Sequence, residues 1–493
     1  MIQLNHNNTE KIADKIQCPS YDSDQVKTGI VHIGVGGFHR AHQAYYIHQL
    51  MDKHKAMDWG ICGVGLREAD RKMYDILKLQ DHLYTLIVQH PDGSVNCEVI
   101  GAIQDMLLAV DTPELVLDKM ANPDTRIVSM TITEGGYNFH PQTGEFDFNN
   151  PAIKQEIESP DQPKTIFGFL TEALRRRRAN GLKPFTILSC DNIQHNGDMA
   201  GKMLLAFAEK QDAELAVWIQ ANVDCPNTMV DRITPVTTAV DIDYLQNSYQ
   251  YKDEWPVICE PFIQWVIEDK FSNDRPPLEK LGVQFVPNVS PYEKMKIRLL
   301  NAGHSVLGIS GAVHGHPTIN ACMEDLVFAK FMREFMDKEV TPILDDIEGI
   351  DVEDYKNSLE VRFANPNLKD SVSRICAESS AKLPKFLIPT IQDNLDNGGS
   401  IDLATFILAA WCYYSDKQTD EKGQPLEIID ENKEKLHNVA KQTQDDPLSF
   451  LSLDEVFGEL RNNERFVAKY EEMIQKIYQE NGIRKLMSNM ISF

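Results

Sequence analysis

The sequence predicts an α/β protein in two parts, a first half built on a parallel sheet and a second half that is mainly α-helical. Two observations carry this expectation. In the first half, short β-branched runs alternate with longer stretches of helical periodicity, the pattern of strands joined by crossover helices. Beyond residue 290 the strand-like runs stop and long helical patterns take over. The length of 493 residues agrees, since one compact core rarely organises so long a chain.

Taken in order, strands are expected at 30–33 (Ile-Val-His-Ile), 60–65, 126–133 and 185–190, with helices at 41–51, 69–80 and 198–211. A helical stretch at 167–179 carries Arg175, Arg176, Arg177 and Arg178, the one basic cluster that stands out. Such a run is expected to be a solvated face. Residues 286–291 (Val-Pro-Asn-Val-Ser-Pro) are punctuated by proline and mark a junction, dividing the chain into domains 1–287 and 288–493. In the second domain helices are expected at 292–309, 319–335, 401–414 and 465–481, and 415–435, rich in Asp, Glu, Lys and Gly, is a solvated excursion. The nearly apolar run 403–414 is too short to span a bilayer.

Composition narrows the partners. With 42% apolar and 25% charged residues the chain can bury a core and is not disordered. Its formal charge of −25 repels polyanions, which argues against nucleic acid or an anionic membrane as the main partner. Nine cysteines without a C-x-x-C pair, and a polar amino terminus, point to reduced thiols in a cytoplasmic protein.

The segment 30–42 runs from a strand into a helix through Gly34-Val35-Gly36-Gly37-Phe38-His39. Gly34 and Gly36 match the first two glycines of G-x-G-x-x-G: the first permits the tight turn, the second lets a pyrophosphate approach the helix amino terminus. His39 stands where the third glycine would be. In the first βα unit this loop predicts a Rossmann-like dinucleotide-binding domain. The expected cofactor-binding residues are Ile33, Gly34, Val35, Gly36, Gly37, Phe38 and Arg40. Past the second strand, Asp70 is the acid expected at the adenosine ribose, favouring NAD over NADP. Glu68 competes for that role, and Arg67 and Arg71 leave NADP open.

Ser290-Pro291-Tyr292-Glu293 reads as a helix start, with Ser290 the N-cap, Pro291 in the first turn and Glu293 completing a capping box. The helix that follows carries Lys296, Asn301 and His304. At 3.6 residues per turn they point in directions of about 0°, 140° and 80°, one broad sector among apolar neighbours. Such a set can bind a substrate hydroxyl and remove its proton while a hydride leaves to nicotinamide. A lysine serves as base if burial lowers its pKa from about 10.4 toward ~7–8. Lys296 and His304 are about 12 Å apart along the axis, so they meet one substrate atom only if Lys296 bends toward the later turns, whereas a six-carbon chain can bridge them. Tyr292-x-x-x-Lys296 also has the spacing of the short-chain dehydrogenase pair, in a chain about twice that family's length. His314-x-His316 and His39-x-x-His42 are the close histidine pairs; neither comes with cysteines or carboxylates at zinc spacing, so no metal site is expected.

These residues also carry a resemblance. Lysine, asparagine five on and histidine three further, together with the loop 34–42, resemble the polyol-specific long-chain dehydrogenases. Further matching blocks are 133–137 (Thr-Glu-Gly-Gly-Tyr), 189–192 (Ser-Cys-Asp-Asn) with 195–197, 226–232, Asn365-Pro366 and 374–384. The likeness covers nearly the whole chain. It implies a general base, Lys296, that works without zinc, with Asn192 and Asn301 forming a pocket for the developing alkoxide and His304 positioning the substrate. Asp231, Arg374 and Lys382 are implied as substrate-binding residues, and Glu293 in proton traffic. Independently of the resemblance, Asn192 and Glu134 follow expected strands at their carboxyl ends, where doubly wound sheets bind ligands.

The implied activity is NAD-dependent interconversion of a sugar alcohol and its ketose, D-mannitol and D-fructose first, by a monomer. A hexuronate reductase acting on fructuronate or tagaturonate is the nearest alternative. Residues 133–136 look more like the polyol branch, whereas Arg374 and Lys382 fit both. A non-catalytic dinucleotide-binding regulator is the other alternative, and the intact Lys296, Asn301 and His304 weigh against it.

Overall fold

The β-branched runs of the first half are buried on both faces, and the computed structural model shows why. It describes residues 2–140, 143–368, 370–480 and 482–491. Five parallel strands form the central sheet: β1 (Thr28–Ile33), β2 (Gly60–Gly65), β3 (Ile103–Leu108), β4 (Ile127–Met130) and β5 (Thr186–Ser189), in the order β3-β2-β1-β4-β5. Side chains alternate along each strand. Ile30, Ile127 and Leu188 enter one apolar layer, and Val31, Val128 and Ile187 the other. A sheet covered on both faces has no use for polar alternation, hence the continuous apolar runs.

The strand order reverses between β1 and β4, which is where doubly wound sheets open a crevice at the carboxyl ends of their strands. The expected strands at 126–133 and 185–190 are shorter in the structure because the chain turns directly after Met130 and Ser189. Three smaller sheets complete this unit, one of them the two-stranded parallel pair Ile2–Gln3 and Tyr251–Lys252; the other two have three strands each. In one, Val257–Cys259 pairs in parallel with Tyr84–Gln89, which pairs antiparallel with Val95–Ile100. In the other, Gln284–Val286 lies parallel to Gln264–Glu268, which pairs antiparallel with Thr228–Asp231.

The chain divides into two units, Met1–Gln89 with Ser94–Ser290, and His90–Gly93 with Pro291–Phe493. The expected helix at 41–51 starts earlier and is broken, running as Gly37–Ala41 and Gln43–His54 on either side of His42, whose φ of −120° and ψ of −89° are not helical. The arginine run corrects the expectation of a solvated face. Arg177 is 1% exposed; its guanidinium donates to the carbonyls of Met120 and Asn122, at the end of the helix Pro113–Ala121, and of Lys183 in the loop before β5. Burial lowers its pKa to about 10. Arg175 and Arg176 pair with Glu172, and Arg176 also with Glu114.

The second unit is helical. Asp402–Lys417 is buried nearly all round its girth and packs against Ala302–His314 and Glu464–Gln479. The expected helix at 319–335 breaks at Asp325, which ends Ile319–Glu324 and caps Leu326–Phe335 by accepting from the Val327 N–H at 2.9 Å. The helix expected at 465–481 runs as Glu464–Gln479; Asn481 lies outside the described residues. No helix among the described residues is long and apolar enough to cross a membrane.

Candidate active site

In the first unit the expected residues gather at the carboxyl ends of the parallel strands. Gly34 follows β1 with φ +87°, and a Cβ there would stand 2.1 Å from the Thr131 carbonyl oxygen. Only glycine fits. The turn is tied to β4 by the Thr131 hydroxyl, which donates to the Gly34 carbonyl at 2.7 Å. Gly36 differs: a Cβ there would meet nothing nearer than the Gly34 oxygen at 3.8 Å. The protein's own packing does not require that glycine, and its bare backbone leaves room for a pyrophosphate at the amino end of the helix. The loop fits a dinucleotide on this count.

The remaining loop residues are mostly inward. Ile33 and Val35 are buried, and Phe38 stacks on His42 with ring centroids 5.0 Å apart. Gly37 opens the helix, where a Cβ would reach Thr234 at an ordinary 3.7 Å. Arg40 is buried; it donates to the carbonyls of Gly36 and Trp255 and so braces the loop from inside. His39, in the third-glycine position, stacks on His32 of β1 at 3.4 Å between centroids, nearly parallel. His32 in turn reaches Ser129 and Thr131 of the β4 end. Aromatic stacking here takes the place of the close glycine contact, and burial holds both imidazoles below their usual pKa.

Asp70 lies against the end of β2, its Cβ 2.9 Å from where a Gly65 side chain would begin, and accepts from the Arg67 N–H at 2.9 Å. Glu68, its competitor, is taken up by Arg71, which also pairs with Asp111. The Arg71 guanidinium is thus occupied, whereas that of Arg67 is largely exposed. Past β5, Asn192 is exposed and Asp191 is buried. Asp191 was not singled out in the sequence. Its carboxylate accepts from the Ile132 and Thr133 N–H groups and the Tyr137 hydroxyl, pinning the Thr133–Gly136 turn that carries Glu134. Burial raises its pKa, against those hydrogen bonds. Asp231 closes the strand Thr228–Asp231 and is buried.

In the second unit, Lys296 and Asn301 are 6% and 8% exposed. The helix 290–314 is not uniform: Ile297–Asn301 is a π-helical turn between Ser290–Lys296 and Ala302–His314, closed by the Ala302 N–H on the Ile297 carbonyl. One residue inserted in a helix turns everything after it back by about 100°. The directions expected for Asn301 and His304 therefore move to about 40° and −20° relative to Lys296, a sector of about 60°. The broad sector expected from an unbroken helix is corrected to a narrow one. Ser290 is also not the cap; it is already helical, and its N–H donates to Asn288 Oδ1 at 3.0 Å. Glu293 is buried. The Tyr292 hydroxyl donates to the Glu348 carbonyl at 2.7 Å, an anchoring role that competes with catalysis.

Around His304 the fold adds a residue that the sequence reading missed. Buried Asp370 places one carboxylate oxygen 4.0 Å from His304 Nε2 and with the other accepts from two nitrogens of Arg374, at 2.8 and 2.5 Å. Phe363 lies against the His304 ring. Lys382 donates to the Ile375 carbonyl at 3.2 Å, and its pKa is lowered first by burial and further by Arg374. His304, Arg374 and Lys382 thus belong to one polar neighbourhood organised by Asp370. The only sequence signal for it was an acid four residues before an arginine on a helix start.

A doubly wound sheet with a glycine-turned first loop, joined to a helical domain, defines a dehydrogenase of the dinucleotide-binding kind. Two family models cover most of the chain: the mannitol dehydrogenase Rossmann domain matches residues 28–280, and the mannitol dehydrogenase C-terminal domain residues 288–478. The chain belongs to the mannitol dehydrogenase family. It is 44% identical to a mannitol 2-dehydrogenase of Aspergillus fumigatus over 502 aligned positions, covering 100% of this chain and 99% of that one. A mannitol 2-dehydrogenase of Pyricularia oryzae is 43% identical, covering 98% and 96%. Among solved structures, the Pseudomonas fluorescens mannitol 2-dehydrogenase in ternary complex with NAD and D-mannitol superposes with a TM-score of 0.89 at 43% identity, covering 99% of each chain. A D-sorbitol dehydrogenase in substrate-free form gives a TM-score of 0.91 at 38% identity, covering 99% and 100%.

Proposed function

We propose that this protein interconverts D-mannitol and D-fructose with NAD, using Lys296 as the general base. The observation that carries the reading is the end-to-end likeness to a structure solved with NAD and D-mannitol. In the oxidative direction the C2 hydroxyl gives its proton to the unionised amine of Lys296, and the C2–H bond breaks with its electron pair leaving as hydride. NAD, held along the loop from Gly34 to Gly36 with Asp70 at the adenosine ribose, supplies the hydride acceptor. The carboxamides of Asn192 and Asn301 are the groups that the family resemblance implies for stabilising the oxygen as it gains charge. His304, beside Asp370, positions the substrate, while Arg374, Lys382 and Asp231 hold the rest of the chain of hydroxyls. No step in this scheme calls on a metal.

Lys296 is 6% exposed, within the shielded surroundings that a general base in this role needs. D-Sorbitol is the nearest competing substrate, given the likeness to a D-sorbitol dehydrogenase. The two hexitols differ only in configuration at C2, and both give D-fructose when oxidised there.

NADH formation is to be followed with mannitol, sorbitol and arabinitol, and NADH consumption with fructose and the hexuronates. Mannitol and fructose should give the highest kcat/KM. A preference for uronates would overturn the assignment. Lys296→Ala should lower kcat by about 10²–10⁴, the range of general-base catalysis, with NADH affinity unchanged; a variant with parental turnover would remove the proposed base.

A further inference from the structure

The long helix that carries Lys296, Asn301 and His304 ends at His314, and a second polar cluster gathers at that end. Gly315, at φ +87°, reverses the chain and brings His316 back beside His314, with ring centroids 4.9 Å apart. Asp325, at the start of Leu326–Phe335, comes in from the next helix. One ring nitrogen from each histidine and one carboxylate oxygen of Asp325 lie within 4.8 Å of one another. The pair His314-x-His316 is visible in the sequence, but the acid that joins it stands nine residues further on, and the spacing H-x-H-x8-D matches no familiar zinc motif.

We infer that His314, His316 and Asp325 form a binding site for Zn²⁺, separate from the residues proposed for polyol oxidation. Two imidazoles and a carboxylate are a donor set that zinc takes readily. His316 Nε2 is buried without a hydrogen-bond partner among the described residues and lies 3.9 Å from Asp325 Oδ2. Around a tetrahedral zinc, donor atoms sit about 3.4 Å apart, so this pair closes by about half an ångström on binding. His314 is held through Nδ1 by Glu421 Oε2 at 3.1 Å. A carboxylate on the far nitrogen of a ligating histidine is the usual outer partner, fixing the tautomer that offers Nε2 to the metal.

Glu421 is itself anchored by the Ile483 N–H, and Asp325 Oδ1 by the Val327 N–H. Two of the three ligand side chains are therefore already oriented by bonds that do not use the ligand atom. One group competes. Arg484 Nε donates to Asp325 Oδ2 at 2.6 Å, so it must share or release that oxygen. Lys422, which donates to the Gly315 carbonyl, is the other nearby cation. His304 lies ten residues earlier on the same helix, about 15 Å away along the axis. An ion here acts as a clamp between two helices and performs no chemistry on the polyol.

The test is uptake of zinc by the full-length protein after chelation. One equivalent of Zn²⁺ per chain should bind at micromolar concentration, and Co²⁺ in its place should show the strong visible absorption of a tetrahedral site. His316→Gln and Asp325→Asn should each weaken binding at least tenfold; the asparagine retains an oxygen for the helix cap, so a folded variant is available. Arg484→Gln should tighten binding by removing the competitor. Sub-stoichiometric uptake by the parent protein, or full uptake by a His314→Gln, His316→Gln double variant, would overturn the site.

Discussion

Consider replacing Gly34 and Gly36 by alanine, one at a time. At Gly34 an alanine must hold φ near +87°, which costs an L-residue about 1–2 kcal/mol. Its methyl group would also begin 2.1 Å from the Thr131 oxygen, so the loop or the end of β4 must move by more than an ångström. That movement weakens the Thr131 hydroxyl bond to Gly34, a further loss of about 1 kcal/mol. The sum is about 2–3 kcal/mol, or a drop in Tm of roughly 4–12 °C for a domain of this size. At Gly36 the backbone, φ −135° and ψ −173°, is open to any residue, and the nearest atom to the new methyl is 3.8 Å away. Stability should then change by less than about 1 kcal/mol. The methyl occupies the space through which a pyrophosphate would approach, so NADH affinity should fall at least about tenfold, equivalent to 1.4 kcal/mol. Thermal unfolding must be followed without cofactor, since binding would mask the difference; fluorescence titration with NADH gives the affinity. Parental NADH affinity in Gly36→Ala would refute the placing of the cofactor on this loop. Equal losses of Tm in the two variants would refute the packing argument.

Two further outcomes follow from single side chains. Tyr292→Phe removes a hydroxyl that donates to the Glu348 carbonyl, so it should cost about 1 kcal/mol of stability and leave kcat within twofold; a collapse of kcat would favour the tyrosine–lysine mechanism over Lys296 alone. Burial raises the Glu339 carboxyl to about 7 from an ordinary 4.5, against the donors Ser400, Leu403 and Ala404. The folded protein therefore keeps this proton at a pH where the unfolded chain has lost it. The stability it contributes is fully present below pH 4.5 and is lost as pH rises through 7, by about 3 kcal/mol at pH 8. Urea midpoints should fall across this window and flatten in Glu339→Gln; the same slope in both proteins would show that another group is responsible.

What was legible in the sequence, and what was not, divides along the range of the interactions. Four of the five central strands, the glycine turn and the start of the long helix near Ser290 are set by neighbours a few residues apart, and β-branched runs, Gly34 and the Pro291 turn announce them; β3, Ile-Gln-Asp-Met-Leu-Leu, lacks such a run and was not expected. Asp70 and Glu68 were distinguishable only in part, because whether an acid faces a ligand or an arginine depends on Asp111, forty residues on. Arg177 was unreadable inside a run of four arginines; only the folded loops show that three carbonyls converge on one member of the run. Asp370 lies 66 residues beyond His304, and Asp325 nine beyond His316. No periodicity connects such pairs, since the fold alone brings them together.

The π turn at Ile297–Asn301 is the most instructive of these differences. A count at 3.6 residues per turn sets Asn301 well round the helix from Lys296, a poor arrangement for a lysine and a carboxamide meant for one oxygen. The insertion brings both, and His304 with them, to one side. Such a turn forfeits regular hydrogen bonding and persists only where its surroundings over-determine it. Here all five residues of the turn are buried, so packing on every side fixes the irregular register. The spacing of lysine, asparagine and histidine thus has meaning only together with the backbone that interrupts it: the same residues on a regular helix would not converge, and a regular helix is what their periodicity alone describes.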